Sequence, residues 1–363
     1  MPDWWAQTAA GQKPNFLQSS IQGVLNLIKA GNKMKTIVSV IALIVFAALL
    51  AFGSFQLGRF YQRPLAEPLA LERGAAAASP TATPAAAQAA QPEKKGPCGE
   101  TGRLMILFTG ADFSGGVWPL GADAVRVVRV DFDNPSIVSV AFPRDLWLKT
   151  PVLADQDISN TRLGLVYHYK KEATLGSDKH RVTAASGAVA QTLVDNFNLQ
   201  ADKYFTLQLD SVAEMIDTIG GVPVNNPEEF TTENGVTFPA GEQVLDGRLS
   251  TEFVRAYQPG GDPGRRARQT LFVKALQDKV VSADVLSRVP DLVKQFDKAI
   301  VTDLSPKQLT ALACMAKEVP TGAVEYYEID ETLTTPLDVG EPIPALAPNV
   351  EAILARLKEW LDL

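Results

Sequence analysis

An uncharged apolar segment near the N-terminus constrains this chain more than any other feature of its sequence. Thr36–Phe55 is a run of twenty residues without a charged side chain. At 1.5 Å per residue, a helix of this length spans about 30 Å, the hydrocarbon thickness of a bilayer. A cleaved signal peptide is the alternative, but its apolar core is about 7–15 residues long and follows a short basic lead. Because 35 residues precede this longer run, we predict an uncleaved transmembrane helix over residues 36–57.

The charges on either side of this helix indicate its orientation. The N-terminal flank carries Lys29, Lys33 and Lys35, and the C-terminal flank carries Arg59 and Arg63. An excess of lysine and arginine marks the cytoplasmic side of a membrane span. We therefore expect a single-pass protein of the cell membrane, with residues 1–35 in the cytoplasm and the large C-terminal part outside it.

Residues 58–98 have the composition of a linker. Ala, Pro, Thr and Gln dominate Pro64–Pro97, and no aromatic or β-branched run is present to form a core. Such a segment cannot recover the entropy lost on ordering, so we predict that it is disordered. Partly extended, its 34 residues would span up to about 100 Å.

Residues 99–363 alternate strand patterns with helix patterns. Strands are predicted at 104–109, 125–130, 137–142, 204–209 and 324–329, and helices at 183–197, 211–219, 246–257, 265–281, 305–317 and 349–361. The turn residues at 133–136 indicate an antiparallel hairpin. Because strands interleave with helices, we predict an α/β fold: a single α-β-α sandwich domain around a central mixed sheet.

The cysteines and histidines exclude several kinds of site. Cys98 and Cys314 lack the spacing of metal ligands, so zinc is not expected. Both would lie outside the cytoplasm, where disulfides persist, and a disulfide or two separate buried thiols both remain open.

His168 and His180 fall in a polar region predicted to be a loop, without a G-x-S-x-G elbow, which argues against a triad hydrolase. The sequence has no P-loop and no strand-linked G-x-G-x-x-G, so nucleotide use is not expected.

Two aspartates flank the first two predicted strands. Asp112 follows the first strand, and Asp123 precedes the second. Carboxylates at neighbouring strand ends can converge, and two hard oxygen donors together with phosphate oxygens suit Mg²⁺. Turn-capping aspartates are the alternative. After the third strand, Pro143 ends the backbone hydrogen-bond ladder, so Arg144 lies at the end of the strand. The alternative is that Arg144 forms a purely structural ion pair with Asp145.

Four arginines cluster within fourteen residues of a chain whose net charge is −7: Arg255, Arg265, Arg266 and Arg268. In a helix beginning near Pro263 and Gly264, three polar side chains would share one face: Arg265, Arg268 and Gln269. Guanidinium groups beside a helix N-terminus suit an anion, especially a phosphate. A solvated helix face is the alternative at this stage.

Seven short motifs in order resemble the LytR–CpsA–Psr family. They are G-A-D at 110–112, A-D at 122–123, P-R-D at 143–145, I-G-G-V at 219–222, L-D-G at 245–247, V-R at 254–255 and D-P-G-R-R-A-R-Q at 262–269. The resemblance covers residues 100–285 well and continues more loosely to the end. It implies a membrane-anchored phosphotransferase that moves a glycopolymer from a polyprenyl-pyrophosphate carrier to peptidoglycan or another envelope acceptor. The implied domain has a long apolar groove for the lipid.

The resemblance also assigns roles to individual residues. Asp112 and Asp123 would hold Mg²⁺ (or Mn²⁺), Arg144 and Asp145 are the candidate catalytic residues, and pyrophosphate would be bound by Arg144, Arg255, Arg265, Arg268 and Gln269. The expected partners are the lipid-linked glycan, the envelope acceptor and the membrane, and no nucleic acid. Pyrophosphate cleavage is a possible side activity.

Three positions depart from the family pattern. The family commonly has arginine where this chain has Ser114, Gly121 and Tyr257. Compensation by Arg126, Arg129 or Arg162 is one expectation. A non-catalytic binding protein for polyprenyl-pyrophosphate lipids is the second hypothesis, and an envelope scaffold that binds an acidic polymer is the third.

Overall fold

The structure is a computed structural model, and it describes residues 61–71, 96–111, 121–208, 212–282, 296 and 299–363. The chain divides into two compact units, Met1–Tyr61 and Gln62–Leu363. The predicted cytoplasmic segment and the predicted transmembrane helix over residues 36–57 lie outside the described residues. Within the described ranges, no helix is both long and apolar enough to cross a membrane.

The described residues of the second unit form both strands and helices. Its strands are β1 (Arg103–Ala111), β2 (Ala122–Asp131), β3 (Ser136–Phe142), β4 (Trp147–Lys149), β5 (Asn160–Arg162), β6 (Lys203–Gln208), β7 (Val222–Asn226), β8 (Phe230–Thr231), β9 (Thr237–Phe238), β10 (Gly241–Leu245), β11 (Ile300–Thr302), β12 (Glu325–Glu328), β13 (Thr334–Leu337) and β14 (Ala345–Pro348). Its α-helices are α1 (Leu163–Ala173), α2 (Asp178–Phe197), α3 (Val212–Thr218), α4 (Gly247–Arg255), α5 (Gly261–Val280), α6 (Pro306–Glu318) and α7 (Val350–Leu361).

A six-stranded mixed sheet forms the centre, in the order β11-β6-β1-β2-β3-β12. The β1–β2, β2–β3 and β6–β11 pairs are antiparallel, whereas β1–β6 and β3–β12 are parallel. The predicted hairpin is confirmed, because Val130 of β2 pairs with Ile137 of β3. The remaining strands form four two-stranded sheets around this centre.

Alternation along the strands divides the apolar side chains between the two faces of the sheet. Leu107 of β1 and Val127 of β2 belong to one buried cluster with Val166 of α1. Ile106, the neighbour of Leu107, belongs to another cluster with Met315 of α6. Since successive strand side chains point to opposite faces, helices cover both faces and the predicted α-β-α sandwich is confirmed.

Three helices differ from the sequence prediction. Helix α1 was not predicted, and α2 begins at Asp178 because the Ser177 hydroxyl accepts a hydrogen bond from the His180 backbone N–H, at 3.3 Å. His168 therefore lies in α1 and His180 in the first turn of α2, which corrects the predicted loop. Helix α5 begins at Gly261, since Gly260 takes a left-handed conformation (φ 85°) as its N-cap. Arg265 thus lies in the second turn of α5.

Part of the predicted linker packs against the domain. In the docked segment, Gln62–Leu71, the side chains of Ala66, Leu69 and Leu71 pack against the main core. The Leu65 N–H donates to the carbonyl of Leu304 at 3.2 Å, and the Leu69 N–H donates to Asp303 Oδ2 at 3.4 Å. These apolar and backbone contacts hold residues 62–71 against the domain, which the composition of the segment did not indicate. The disordered linker remains a prediction for residues 72–95, which lie outside the described residues.

Replacing Leu69 by aspartate is expected to release the docked segment while the domain stays folded. A half-buried leucine contributes about 1–2 kcal/mol through burial, and a carboxylate there would also approach Asp303. Limited proteolysis should then cleave within residues 62–71 faster than in the unmodified chain. The matched control is Leu175→Asp, since Leu175 is 88% exposed. Equal cleavage rates for Leu69→Asp and the unmodified chain would contradict the observed docking.

The two cysteines form the disulfide Cys98–Cys314, which decides the alternatives left open by the sequence. Cys314 lies in α6, and 216 residues separate the two positions. The bond fastens the segment before β1 to the helix that covers one face of the sheet. Disulfides persist in oxidising compartments, so the bond agrees with a location outside the cytoplasm.

Removing this disulfide is expected to cost stability. The Cys98→Ser, Cys314→Ser double variant should unfold with a free energy lower by about 2–4 kcal/mol, because the unfolded chain is no longer cross-linked. Thermal unfolding of the purified chain under non-reducing conditions measures the change. Thiol titration of the unreduced, unfolded protein is the independent check, and two reactive thiols would show that the bond is not formed.

Candidate functional site

The candidate site lies at the end of the central sheet where β1 and β3 end and β2 begins. Ala111, the last residue of β1, pairs with Ala122, the first residue of β2. Strand β3 runs antiparallel to β2 and ends at Phe142. Asp123 and Arg144 therefore meet, and Nη1 of Arg144 donates to Oδ1 of Asp123. Asp123 and Arg144, two of the residues singled out from the sequence, are thus in contact at the ends of these strands.

The second predicted metal ligand, Asp112, lies outside the described residues. The residue before it, Ala111, pairs with the residue before Asp123, Ala122. This pairing supports the expected convergence of the two carboxylates, which stays a prediction. Among the described residues, no group of three or more His, Cys, Asp or Glu side chains converges as a metal site.

Arg265 approaches the same carboxylate from a different element. It projects from α5, and its Nη1 lies 3.6 Å from Oδ1 of Asp123. Arg265 is only 3% exposed, whereas the side chains of Asp123 and Arg144 are 21% and 24% exposed. Two guanidinium groups therefore hold one carboxylate, and an anion entering here would meet buried positive charge.

Arg268 and Gln269 fasten the chain around the site. The Arg268 guanidinium donates to the carbonyls of Ala256 and Pro259 and lies 4.9 Å above the centre of the Phe230 ring. Burial lowers its pKa from the ordinary arginine value. Gln269 Nε2 donates to the carbonyl of Val254 at 3.3 Å. Both side chains thus hold the end of α4, which carries the half-buried Arg255, against α5.

Asp145 is held by a buried arginine that the sequence did not connect with it. Arg162 is 5% exposed, and its Nη1 donates to Oδ1 of Asp145 at 3.0 Å. The same guanidinium binds Glu341 at 3.0 Å. The other Asp145 oxygen lies 3.7 Å from Nε of Arg144. Asp145 is therefore placed to orient Arg144, and Arg162 pairs with two carboxylates, Asp145 and Glu341.

Two of the three departures from the family pattern have a visible structural setting. A Cβ added at Gly121 would stand 2.4 Å from the carbonyl oxygen of Gly164, so this backbone admits no side chain at position 121. Tyr257 follows the end of α4, and its N–H donates to Glu233 at 2.9 Å. Ser114 lies outside the described residues. The site therefore has fewer cations than the family pattern implies.

An apolar groove of about 450 Å³ lies on the α5 side of the sheet. The sheet contributes Phe108, Val128 and Phe205, and the facing helices contribute Met215 of α3, Leu276 of α5 and Leu312 of α6. Its volume and lining suit an extended hydrocarbon chain. The family resemblance implied a long apolar groove for a lipid, and this groove is the candidate for it.

One buried cation stands in the wall of this groove. Arg126 of β2 donates to Thr270 of α5 at 2.6 Å, and burial lowers its pKa to about 10. It remains protonated at neutral pH and lies three residues along β2 from Asp123. Arg129 lies six residues from Asp123, about 20 Å along the strand. Of the three arginines considered as compensation, Arg126 is the one that lines the groove, and compensation itself stays a prediction.

The fold and the site together define a class of protein: a three-layer α/β domain that joins an arginine–carboxylate cluster to an apolar groove. This arrangement suits an amphiphile with an anionic head and a hydrocarbon tail. The family model of LytR_cpsA_psr matches residues 73–352, and the chain belongs to this family.

Relatives and solved structures agree with this assignment. The polyisoprenyl-teichoic acid–peptidoglycan teichoic acid transferase TagU of Oceanobacillus iheyensis is 26% identical over 217 residues, which are 59% of this chain and 62% of that protein. The transferase of the same description named TagV, from Bacillus subtilis, is 24% identical over 266 residues, or 66% and 60% of the two chains. This chain therefore spans about 60% of the length of these relatives. The crystal structure of B. subtilis TagV has a TM-score of 0.57 at 22% identity and covers 72% of this chain and 98% of its own, which shows the shared fold.

Proposed function

We propose that this protein is a membrane-anchored phosphotransferase that moves a glycopolymer from a polyprenyl-pyrophosphate carrier to peptidoglycan or another cell-envelope acceptor. The observation that carries the proposal is the Asp123 carboxylate held by Arg144 and Arg265 on a domain with an apolar groove. The names of TagU and TagV, which are polyisoprenyl-teichoic acid–peptidoglycan teichoic acid transferases, support it.

The proposed reaction needs alignment and charge neutralisation more than covalent catalysis. A hydroxyl oxygen of the acceptor attacks the phosphorus that carries the sugar, the bond from that phosphorus to the bridging oxygen breaks, and polyprenyl phosphate leaves. The hydroxyl proton passes to a carboxylate of the site, either Asp145 or one of the predicted metal aspartates. Arg144 and Arg265 neutralise charge on the phosphoryl oxygens, which lowers the barrier of such transfers. Water in place of the acceptor would give pyrophosphate cleavage as a side activity.

The donor set suits a divalent metal ion. Mg²⁺ prefers oxygen ligands and commonly takes one or two carboxylates together with substrate phosphate oxygens. Asp123 is partly exposed and faces a cavity, so its carboxylate is accessible. Asp112 and Asp123 would hold Mg²⁺ (or Mn²⁺), and the bound ion would neutralise further charge on the pyrophosphate.

The proposed location is the outer face of the cell membrane. The predicted helix over residues 36–57 would anchor the chain with its N-terminus in the cytoplasm. The disulfide between Cys98 and Cys314 supports an oxidising, extracytoplasmic environment for the domain.

A binding protein without turnover is the second candidate function, and one observation favours it. Gly121 admits no side chain because the Gly164 carbonyl is too close, so one arginine common in the family has no place here. The groove and the remaining arginines would still retain a polyprenyl-pyrophosphate lipid.

A transfer assay separates these functions. The full chain in membrane vesicles would be given Mg²⁺, peptidoglycan and a polyprenyl-pyrophosphoryl oligosaccharide labelled in its sugar, and we expect the label on peptidoglycan. Bound lipid with neither transfer nor pyrophosphate cleavage would favour the binding protein. Absence of lipid binding, glycan transfer and pyrophosphate cleavage would contradict both candidate functions. Binding of an acidic polymer that weakens with salt and does not change with Mg²⁺ or lipid would favour the envelope scaffold.

A further inference from the structure

A short segment joins the two helices that carry Arg255 and Arg265. Helix α4 ends at Arg255 and α5 begins at Gly261, so residues 256–260 belong to neither helix, and we call them the elbow. A change in the conformation of the elbow would move Arg255 relative to Arg265. Since a segment of this length has many conformations, contacts outside it must select the one observed.

The carbonyl groups of the elbow are held by α5. The Arg268 guanidinium donates to the carbonyls of Ala256 and Pro259. The Pro259 carbonyl oxygen also lies against Gly264, where an added Cβ would stand 2.4 Å away. The N-terminal part of α5 thus packs closely on the elbow and takes up two of its acceptors.

Two N–H groups of the elbow are held by one carboxylate from a different element. Oε1 of Glu233 accepts the N–H of Tyr257 at 2.9 Å and the N–H of Gln258 at 2.6 Å. Glu233 lies in the turn between β8 and β9. Hydrogen bonds to an ionised group are about twice as strong as those between neutral groups. The elbow is therefore fixed through its donors by Glu233 and through its acceptors by Arg268.

The turn that carries Glu233 is itself fastened to α4. The Thr232 N–H donates to the Val236 carbonyl at 2.9 Å, which closes the turn. Nδ2 of Asn234 donates to Oε2 of Glu252 on α4 at 3.0 Å, and the aromatic rings of β8 and β9 pack against Phe253 of the same helix. The turn and α4 thus form one support from which the Glu233 carboxylate reaches the elbow.

We infer that Glu233 is a positioning residue of the transfer reaction, an inference that rests on the proposed function. Its side chain lines neither the apolar groove nor the cavity beside Asp123, so it acts through the elbow. By holding two N–H groups of the elbow, Glu233 keeps Arg255 and Arg265 at the spacing at which both reach one pyrophosphate. Such placement matters because a displacement of about 1 Å in an active site can lower a rate about 10²-fold.

An electrostatic effect on Arg268 is the alternative to positioning. Burial lowers the pKa of the Arg268 guanidinium, and the charge of Glu233 acts in the opposite direction. Glutamine at position 233 separates the two roles, because its amide oxygen can accept the same two N–H groups but carries no charge. Positioning therefore predicts that glutamine restores what alanine loses, and an electrostatic role predicts that it does not.

Three variants of the full chain in membrane vesicles test this inference, with Mg²⁺, peptidoglycan and the labelled polyprenyl-pyrophosphoryl oligosaccharide. We expect Glu233→Ala to lower kcat of transfer about tenfold to a hundredfold. Its lipid affinity should change by less than about threefold, since the groove still binds the hydrocarbon chain. Glu233→Gln should transfer within about fivefold of the unmodified rate. The control is Glu242→Ala, an exposed glutamate on β10, whose rate should stay within about twofold.

Amide hydrogen exchange measures the contact itself, without reference to activity. In Glu233→Ala the N–H groups of Tyr257 and Gln258 should exchange at least about tenfold faster than in the unmodified chain. Exchange in the central strands β1 and β2 should stay unchanged, which shows that the domain remains folded. In Glu233→Gln the exchange of the elbow should return most of the way to the unmodified rate.

The outcomes separate this inference from the proposed function. A loss of kcat with retained lipid affinity and faster exchange in the elbow, both restored by glutamine, supports the inference. Equal transfer by Glu233→Ala and the unmodified chain, equal losses for alanine and glutamine, or a parallel fall of transfer and lipid affinity overturns the inference and leaves the proposed function standing. Absence of transfer by the unmodified chain overturns the proposed function, and the inference with it.

Discussion

Replacing Asp123 by asparagine is expected to lower the rate of glycan transfer on the order of 10³-fold, the scale seen when one charge-stabilising group is removed from an active site. The Asp123 carboxylate is the point where Arg144 and Arg265 meet and is a predicted ligand of the metal ion. Asparagine keeps the shape and removes the charge, so the arginines lose their partner and the metal ion one of its ligands. Single-turnover transfer of a labelled glycan at saturating Mg²⁺ measures the change.

The control for this substitution is Asp155→Asn. Asp155 also carries an ion pair, to Lys170 at 3.8 Å, but its side chain is 62% exposed, and exposed pairs contribute little. Its variant should transfer at nearly the unmodified rate. If Asp123→Asn and the unmodified chain transfer glycan equally fast, the sheet edge around Asp123 is not the reactive centre.

Replacing Arg265 by alanine is expected to lower transfer by about 10²-fold to 10³-fold. Its guanidinium is almost fully buried beside Asp123, where a charge-assisted hydrogen bond to a phosphoryl oxygen is stronger than at the surface. Arg265→Lys should recover only part of the loss, because lysine keeps the charge but lacks the planar fork of donors. Rates for both variants, measured with the same labelled lipid, give the comparison.

The neighbouring residue provides a matched control for Arg265. Arg266 is also buried, at 5% exposure, but its guanidinium binds Glu328 of β12 at 3.4 Å. Arg266→Lys keeps the positive charge facing Glu328 and should change the transfer rate by less than about threefold. Equal losses for Arg265→Lys and Arg266→Lys would mean that buried positive charge in general, rather than its position beside Asp123, supports transfer.

Strands of the central sheet were predictable because they are short apolar runs rich in β-branched residues. The apolar runs at 104–109, 125–130 and 137–142 became β1, β2 and β3 with longer ends. The short pairs such as β4–β5 and β8–β9 were not predicted, since strands of two or three residues depend on tertiary contacts.

Helix boundaries failed where glycine or polar residues obscured the pattern. Helix α1 contains Gly164 and a polar second half, so it has little helical periodicity in its apolar residues. The start of α5 was placed too late because Gly-Asp-Pro-Gly at 261–264 has the composition of a turn. Only the left-handed conformation of Gly260 shows that the helix begins there.

The sequence singled out the central residues of the site but not the residues that support them. Asp123, Arg144 and Arg265 follow from strand ends and from one helix face, which are local patterns. The link from Arg162 to Glu341 joins residues 179 positions apart, and no local pattern indicates it. The engagement of Arg268 with backbone carbonyls was equally invisible, because any carbonyl can accept such a bond.

The most direct test of the central claim is the structure of the protein crystallised with a polyprenyl pyrophosphate and Mg²⁺. We predict electron density for the pyrophosphate within hydrogen-bonding distance of Arg144 and Arg265, and continuous density for the hydrocarbon chain in the groove lined by Phe108 and Leu276. Lipid density elsewhere on the domain, or an empty groove at saturating lipid, would contradict the assignment of this sheet edge as a lipid-pyrophosphate site.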